Sequence, residues 1–92
     1  MLYAIGYDIV SDKWRVKVAK LLEGYGDRVQ KSVFEIRLDD DKQLARLCNE
    51  LLELIDLEED SVRIYPLHPS LEAGIKLLGQ AESWQDPEVL VI

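Results

Sequence analysis

LYAIGYDIVSDK, residues Leu2–Lys13, is the stretch that decides the fold of this chain. Its first half is apolar or small at nearly every position, which predicts a strand covered on both faces. Asp8 is the exception, because it is a carboxylate at the carboxyl end of that strand. An acid there either caps the following turn or serves a site, and the stretch itself leaves both alternatives open. Ser11 is a preferred N-cap residue, so a helix is expected to follow it.

The next segments alternate between helical and extended patterns. Lys13–Glu23 predicts a helix that ends at Gly24. The extended segment Arg28–Leu38 changes its apolar side near Lys31 and Ser32, so a bulge or a tight reversal is expected to divide it into two short strands. The stripe of the helix expected to face the core consists of Trp14, Val18, Leu21, Leu22 and Tyr25.

The second half of the chain repeats this alternation. Asp39–Asp41 opens a second predicted helix, whose period of 3.6 residues continues to about Asp56. Ser61–Leu67 predicts a strand with Pro66 near its end, which suits an edge strand or a strand terminus. The segment HPSLEA that follows is expected to be a loop, and Ala73–Leu78 is a candidate for a further short strand.

The order β-α-β-β-α-β predicts an α+β protein with a ferredoxin-like fold, in which two helices cover one face of an antiparallel sheet. Residues 1–80 would form this domain and residues 81–92 a tail. Because the first strand is apolar on both sides, we expect a second copy of the sheet to cover the other face as a homodimer. The apolar end of the tail would add a strand across that interface. It consists of Val89, Leu90, Val91 and Ile92.

The charge of the chain is divided unevenly. The net charge is −7, which argues against a nucleic-acid partner. Up to Arg46, however, nine Lys/Arg face eight Asp/Glu, a net of +1, whereas two face ten after it, a net of −8. The first half therefore retains the capacity for a local basic patch. No run approaches the ~20 apolar residues that span a bilayer, and no basic segment precedes an apolar one, so the expected location is the cytoplasm.

Asp8 is the candidate catalytic and metal-binding residue. A two-fold dimer packed through the sheet would bring two copies of this carboxylate together across the axis. Two carboxylates and waters are a typical environment for Mg²⁺, which can activate a water molecule and stabilise charge on a phosphate. The alternative role, in capping or turn formation, remains open at this point.

Two further groups of residues are candidates for nucleic-acid binding. Arg15, Lys17 and Arg28 are of a kind that usually lies on a solvated surface, but the helix bearing two of them begins where the strand bearing Asp8 ends. These cations are therefore candidates for holding a phosphate backbone near the metal. Tyr7 and Phe34 are either core or interface residues, or rings on which bases stack.

A longer stretch, YDIVSDKWRVKVAKLLEGYGDRVQKSVFEIRL, resembles the hallmark of the small CRISPR-associated adaptation endonucleases, the partners of the CRISPR integrase. The resemblance covers roughly residues 2–67. Its most specific pieces are the strand ending in Tyr7-Asp8 and the segment Gly26–Glu35, GDRVQKSVFE. The segment SVRIYPL is similar to a later strand of the family.

The resemblance implies a ferredoxin-like homodimer whose C-terminal strand packs on the partner's sheet. It places the family's metal-binding aspartate at Asp8. Lys17 stands where some members have arginine, which keeps the charge but loses the bidentate fork, and Trp14 stands where many members are basic. The residues matching those important for nuclease activity in the family are Tyr7, Arg15, Arg28 and Phe34.

Two functions follow from the resemblance. The leading expectation is a Mg²⁺-dependent endonuclease of CRISPR adaptation, which cleaves single-stranded RNA or double-stranded DNA. The alternative is a non-catalytic dimeric scaffold that bridges integrase dimers around spacer DNA. A ferredoxin-like dimerising module without a nucleic-acid role is a third alternative, which the hallmark stretch disfavours.

Overall fold

The computed structural model describes residues 1–79. The predicted tail, residues 81–92 with Val89–Ile92, lies outside these residues. The elements in chain order are β1 (Leu2–Asp8), α1 (Asp12–Glu23), β2 (Gly26–Gln30), β3 (Val33–Arg37), α2 (Asp41–Leu52), β4 (Ser61–Leu67) and α3 (Pro69–Glu72).

The four strands form one antiparallel sheet in the order β2-β3-β1-β4. The apolar strand β1 is central, and Ile5 pairs with Phe34 of β3 on one side and with Ile64 of β4 on the other. Within the described sheet β4 is an edge strand, which accommodates Pro66 because its missing N–H is not needed there. The predicted α+β class is confirmed.

The core lies between the sheet and the two long helices. Tyr3, Ile5 and Tyr7 of β1 belong to one buried cluster with Val18, Ala19 and Leu22 of α1 and with Leu47 and Leu51 of α2. Because side chains alternate along a strand, Ala4, Gly6 and Asp8 point to the opposite side of the sheet, here called the open face. Its other members include Val33, Glu35, Arg63 and Tyr65.

The open face is only partly covered by residues 1–79. Ala4 and Gly6 are half-buried, and Tyr65 is half-exposed. Residues 1–79 therefore cover one face of β1 fully and the other only in part, so the predicted coverage of both faces would need a further segment or a second chain. None of the helices within residues 1–79 is long and apolar enough to cross a membrane.

The helix and strands of the first half of the chain form where its pattern predicts them, although Trp14 of the predicted core stripe is partly exposed. Helix α1 begins directly after Ser11 and ends at Gly24. The reversal predicted near Lys31 and Ser32 separates β2 from β3. A register shift between Arg28 and Gln30 adds an irregularity in the hairpin. The prediction that a reversal divides this segment into two short strands is therefore confirmed.

Helix α2 is shorter than predicted. Its pattern continues to about Asp56, but the helix ends at Leu52. The carbonyl oxygen of Leu51 accepts from the N–H of Leu54 at 3.0 Å, an i→i−3 bond, as well as from that of Ile55 at 3.1 Å, so the chain tightens into a turn at the end of the helix. The side chains of Leu54 and Ile55 still pack against the core. Their spacing along the chain therefore allows burial from a turn as well as from a helix.

The segment after β4 also differs from expectation. The predicted loop contains the one-turn helix α3, in which Pro69 occupies the first turn and a ring nitrogen of His68 accepts from the Ser70 N–H at 3.1 Å. Ala73–Leu78 is not a strand, since only Leu77 forms an isolated bridge. Segments this short carry little periodicity, so local hydrogen bonds decide their structure.

Candidate functional site

Asp8 is the last residue of β1 and lies opposite Ser61 of β4. Its side chain is exposed and makes no hydrogen bond or ion pair with any residue among 1–79. It does not cap α1, because the N-cap position is occupied by Ser11. The alternative of a capping or turn role is therefore not supported, and the carboxylate remains available to a ligand.

Asp8 alone does not form a metal site within residues 1–79. Within the part of the chain that the structure describes, no group of three His, Cys, Asp or Glu residues is arranged to hold a metal ion. As a hard oxygen donor, Asp8 fits Mg²⁺ as one ligand. A site that holds the ion by protein groups alone would need further oxygen ligands from elsewhere.

The guanidinium of Arg15 is bonded to the loop that follows Asp8. Nε and Nη2 donate to the Ile9 carbonyl oxygen at 3.2 and 3.0 Å, and Nη2 also reaches that of Val10 at 3.3 Å. Nη1 pairs with Asp12 at 2.6 Å. Most of its N–H groups are thus engaged within the chain, and the residue fixes the direction in which the backbone leaves Asp8.

Asp60 holds the same loop from the other side. Its Oδ1 accepts from the Val10 N–H at 2.9 Å, and its Oδ2 accepts from the Asp56 N–H at 2.8 Å. These two backbone bonds, with that from Asp56 the larger cause, lower the pKa of the Asp60 carboxyl. Sequence reasoning missed this residue, because it lies in a charge run that looks like a solvated turn and its partner is 50 residues away.

Arg28 is the predicted nucleic-acid residue with the best-defined support. The guanidinium carbon lies 5.4 Å from the centroid of the Phe34 ring, within the range of a cation–π interaction. Its Nη2 is 3.5 Å from Glu23 Oε1, and 43% of the side chain is exposed. Lys17 is also exposed, with Nζ 4.4 Å from the centroid of the Trp14 ring. Both cations retain access to solvent.

The two predicted aromatic residues lie in the core. Phe34 is fully buried and Tyr7 is 8% exposed, with ring centroids 6.3 Å apart. The Tyr7 hydroxyl donates a long hydrogen bond of 3.4 Å to the Lys31 carbonyl oxygen. Neither ring offers a face to a base in this structure. Through their contacts, however, Tyr7, Phe34 and Arg28 form one connected group that begins next to Asp8.

Comparisons with known proteins agree on one family. The family model described as CRISPR associated protein Cas2 matches residues 1–70. A Thermus thermophilus protein named CRISPR-associated endonuclease Cas2 2 is 49% identical over 71 residues, covering 77% of this chain and 78% of its own. A Synechocystis protein named CRISPR-associated endoribonuclease Cas2 3 is 41% identical over 91 residues, covering 99% and 98%.

A solved structure extends the likeness to the fold. A chain in the structure described as a partial Cas6-RT-Cas1–Cas2 complex superposes with a TM-score of 0.69 at 36% sequence identity. The match covers 75% of each chain. The four-stranded antiparallel sheet and its helices are therefore shared with a protein that was solved in a larger assembly.

Proposed function

Because the chain belongs to the CRISPR-associated Cas2 family, we propose that it is an endonuclease of CRISPR adaptation that uses Mg²⁺ or another divalent cation. It would act in the cytoplasm on single-stranded RNA or double-stranded DNA, since its relatives are named both endoribonuclease and endonuclease. The observation that carries the proposal is the Asp8 carboxylate, which is exposed and unbonded among residues 1–79 at the end of the central strand.

The proposed active form is a ferredoxin-like homodimer that is joined through the open face. Ala4 and Gly6 at the centre of that face are small, so a second sheet can approach closely. The pairing would supply the second Asp8 that one chain lacks. The two Asp8 carboxylates would hold the ion, whose chemistry when bound would be charge stabilisation at a phosphodiester.

Within each chain the other predicted residues take separate roles. Arg28 and Lys17 would contact phosphates, since both are exposed cations. Arg15 would position Asp8 by fixing the following loop, with at most a minor part of its guanidinium left for phosphate. Tyr7 and Phe34 would shape the site from beneath, by supporting Arg28 and the end of β1.

The test compares cleavage of a single-stranded RNA and a DNA duplex, each with Mg²⁺ and with a chelator. We expect the wild-type protein to cleave at least one substrate. Asp8→Asn keeps the size of the side chain but removes its charge, so the rate should fall at least about a hundredfold, the scale at which one group with a direct role acts. Asp27→Asn, a second exposed acid in the same sheet, serves as the matched control.

Two results would contradict the catalytic proposal. One is cleavage that survives unchanged in Asp8→Asn, which would place the activity elsewhere or in a contaminant. The other is a wild-type protein that, with Mg²⁺ present, cleaves neither substrate. Equal losses in Asp8→Asn and Asp27→Asn would point to a general electrostatic effect and count against a specific role for Asp8.

A second candidate function is that of a scaffold, which is favoured by the similar chain solved in a complex with Cas1. In this function the chain binds the CRISPR integrase and spacer DNA without cutting either. Spacer integration should then tolerate Asp8→Asn and fail when residues 89–92 are removed. The reverse pattern, with loss in Asp8→Asn and normal integration by the truncated chain, would contradict the scaffold function.

A further inference from the structure

A groove of about 390 Å³ separates the loop after β1 from the turn between α2 and β4. Its walls include the apolar side chains of Val10, Trp14, Leu54 and Ile55. Trp14 is predicted to face the core but is 37% exposed, and Val10 is 61% exposed. Large apolar groups are thus presented to solvent at a concave place, where a ligand would bury them.

The remaining lining is strongly acidic. Of the nine residues that line the groove, four are acids and none is basic: Glu53, Asp56, Glu59 and Asp60. Asp60 accepts two backbone hydrogen bonds, and one oxygen of Asp56 accepts from the Glu58 N–H. The carboxylates of Glu53 and Glu59 have no hydrogen bond or ion pair with the described residues, so they are available to an incoming cation.

The two walls are joined to each other. The bond from the Val10 N–H to Asp60 crosses from the loop after β1 to the opposite turn, and Arg15 holds the carbonyl groups of the same loop. A groove whose walls are tied in the unbound state loses little conformational entropy on binding. It is therefore preformed for an occupant.

Nucleic acid does not fit this groove. Its phosphates would meet four carboxylates, and no Lys or Arg is among the lining residues. Residues 50–60 contain six acids without a single Lys or Arg, a charge distribution that phosphate binding does not explain. A positively charged partner has the complementary charge, and the apolar walls require that it also carry aliphatic side chains.

We propose that the groove is a docking site for an arginine-bearing apolar segment of a partner protein. An aliphatic side chain packs between Val10 and Leu54, and the guanidinium pairs with Glu53 and Glu59. The indole of Trp14 serves as an apolar wall, because the ammonium groups of Lys13 and Lys17 already lie over its ring at 5.5 and 4.4 Å. Arginine is favoured over lysine for its planar fork and weaker hydration. The proposal is independent of nuclease activity.

The test uses the full chain, labelled with ¹⁵N, and the acetylated, amidated tripeptide leucyl-arginyl-leucine as probe. Saturable shifts are expected in the backbone amides of Val10, Ser11, Ile55 and Glu59. The lysine analogue should bind more weakly, and the glutamate analogue should leave these amides unchanged. Since an exposed ion pair contributes about two- to fivefold in affinity, the double variant Glu53→Gln, Glu59→Gln, which loses two pairs, should bind about four- to twenty-five-fold more weakly.

Glu58→Gln provides the matched control, since Glu58 is an exposed acid in the same turn that does not line the groove. Its affinity for the probe should equal that of the wild type. Equal binding of the glutamate analogue, or full affinity in the double variant, would overturn the proposal. Shifts of the same amides on adding a single-stranded oligonucleotide, or on concentrating the free protein, would assign the groove to nucleic acid or to a second copy instead.

Discussion

At the scale of single residues, the backbone that follows Asp8 is fixed by two side chains of opposite charge. Arg15 donates to the carbonyl groups of Ile9 and Val10, and Asp60 accepts from the Val10 N–H. Donors and acceptors of one loop are thus satisfied by groups from different elements. The position of the Asp8 carboxylate therefore depends on these contacts as well as on β1.

Asp60 should therefore be important for stability as well as for the loop. Asp60→Ala removes both acceptors and should lower Tm by roughly 5 °C, a shift typical of a small domain that loses a loop contact. Asp60→Asn keeps one acceptor oxygen and should lower Tm by less. Thermal unfolding near neutral pH measures both, and Glu58→Ala in the same turn should leave Tm unchanged. Equal Tm values for all four proteins would contradict a role for the Asp60 bonds.

The same contact predicts a pH dependence. Because hydrogen bonding lowers the pKa of Asp60 in the folded chain, its stabilising contribution is complete above the usual range of an aspartate and is lost as the pH falls through the lower folded value. The Tm difference between wild type and Asp60→Asn should accordingly shrink below about pH 4. A difference that stays constant down to that range would show that the charge of Asp60 is not involved.

At the scale of elements, the β2–β3 hairpin depends on a close approach at Gly26. A Cβ at this position would lie 2.5 Å from the Glu35 carbonyl oxygen and 2.8 Å from Ile36 Cγ1. Gly26→Ala should therefore destabilise the protein by about 2 kcal/mol, as measured by urea unfolding. At Gly24 the nearest atom is the Leu21 carbonyl oxygen at 3.3 Å, so Gly24→Ala should cost clearly less. Similar losses for both variants would contradict the steric argument.

The hairpin also carries the Arg28 cation. Its ring partner, Phe34, belongs to β3, so the pairing of the two strands sets the position of the charge. Disruption of the hairpin would consequently weaken phosphate binding by the proposed site without touching Asp8. Structure and proposed function are coupled here through one pair of strands.

In the molecule as a whole, basic and acidic residues are concentrated in different segments of the chain. The first half of the chain contributes most of the cations, whereas the turn before β4 is acidic and lines a groove. The open face, with small residues at its centre, is a third surface. The proposed nuclease and dimer functions meet at Asp8 on the open face, whereas the proposed docking groove has other lining residues and can be tested independently of them.

The proposed dimer gives the whole-molecule prediction. Light scattering should give twice the 10.6 kDa mass of one chain. Ala4→Lys places a charge at the centre of the open face and should yield a folded monomer, because an unpaired buried charge opposes association. Val16→Lys, a matched change at an exposed position on α1, should remain dimeric. A wild-type monomer, or a dimer that persists in Ala4→Lys, would contradict pairing through this face.

The strands and helices up to β4 were predictable from the amino-acid sequence. The apolar run to Asp8, the cap at Ser11 and the change of apolar side near Lys31 are local patterns, and they fix strands, helix starts and turns because each depends on neighbouring residues. The end of α2 at Leu52 was not determined in this way, since apolar side chains at Leu54 and Ile55 can pack from a turn or from a helix.

Which side chains contact one another could not be predicted from the sequence, because these contacts join residues that are far apart along the chain. Asp60 contacts a loop 50 residues away, and no spacing along the chain signals a hydrogen bond across such a distance. Trp14 likewise lines the groove and is partly exposed, although its helical spacing matches the core stripe. Asp8 was identifiable from sequence as a carboxylate at a strand end. That it makes no hydrogen bond or ion pair among residues 1–79 could be seen only in the folded chain, where Arg15 and Asp60 bond the loop that follows it.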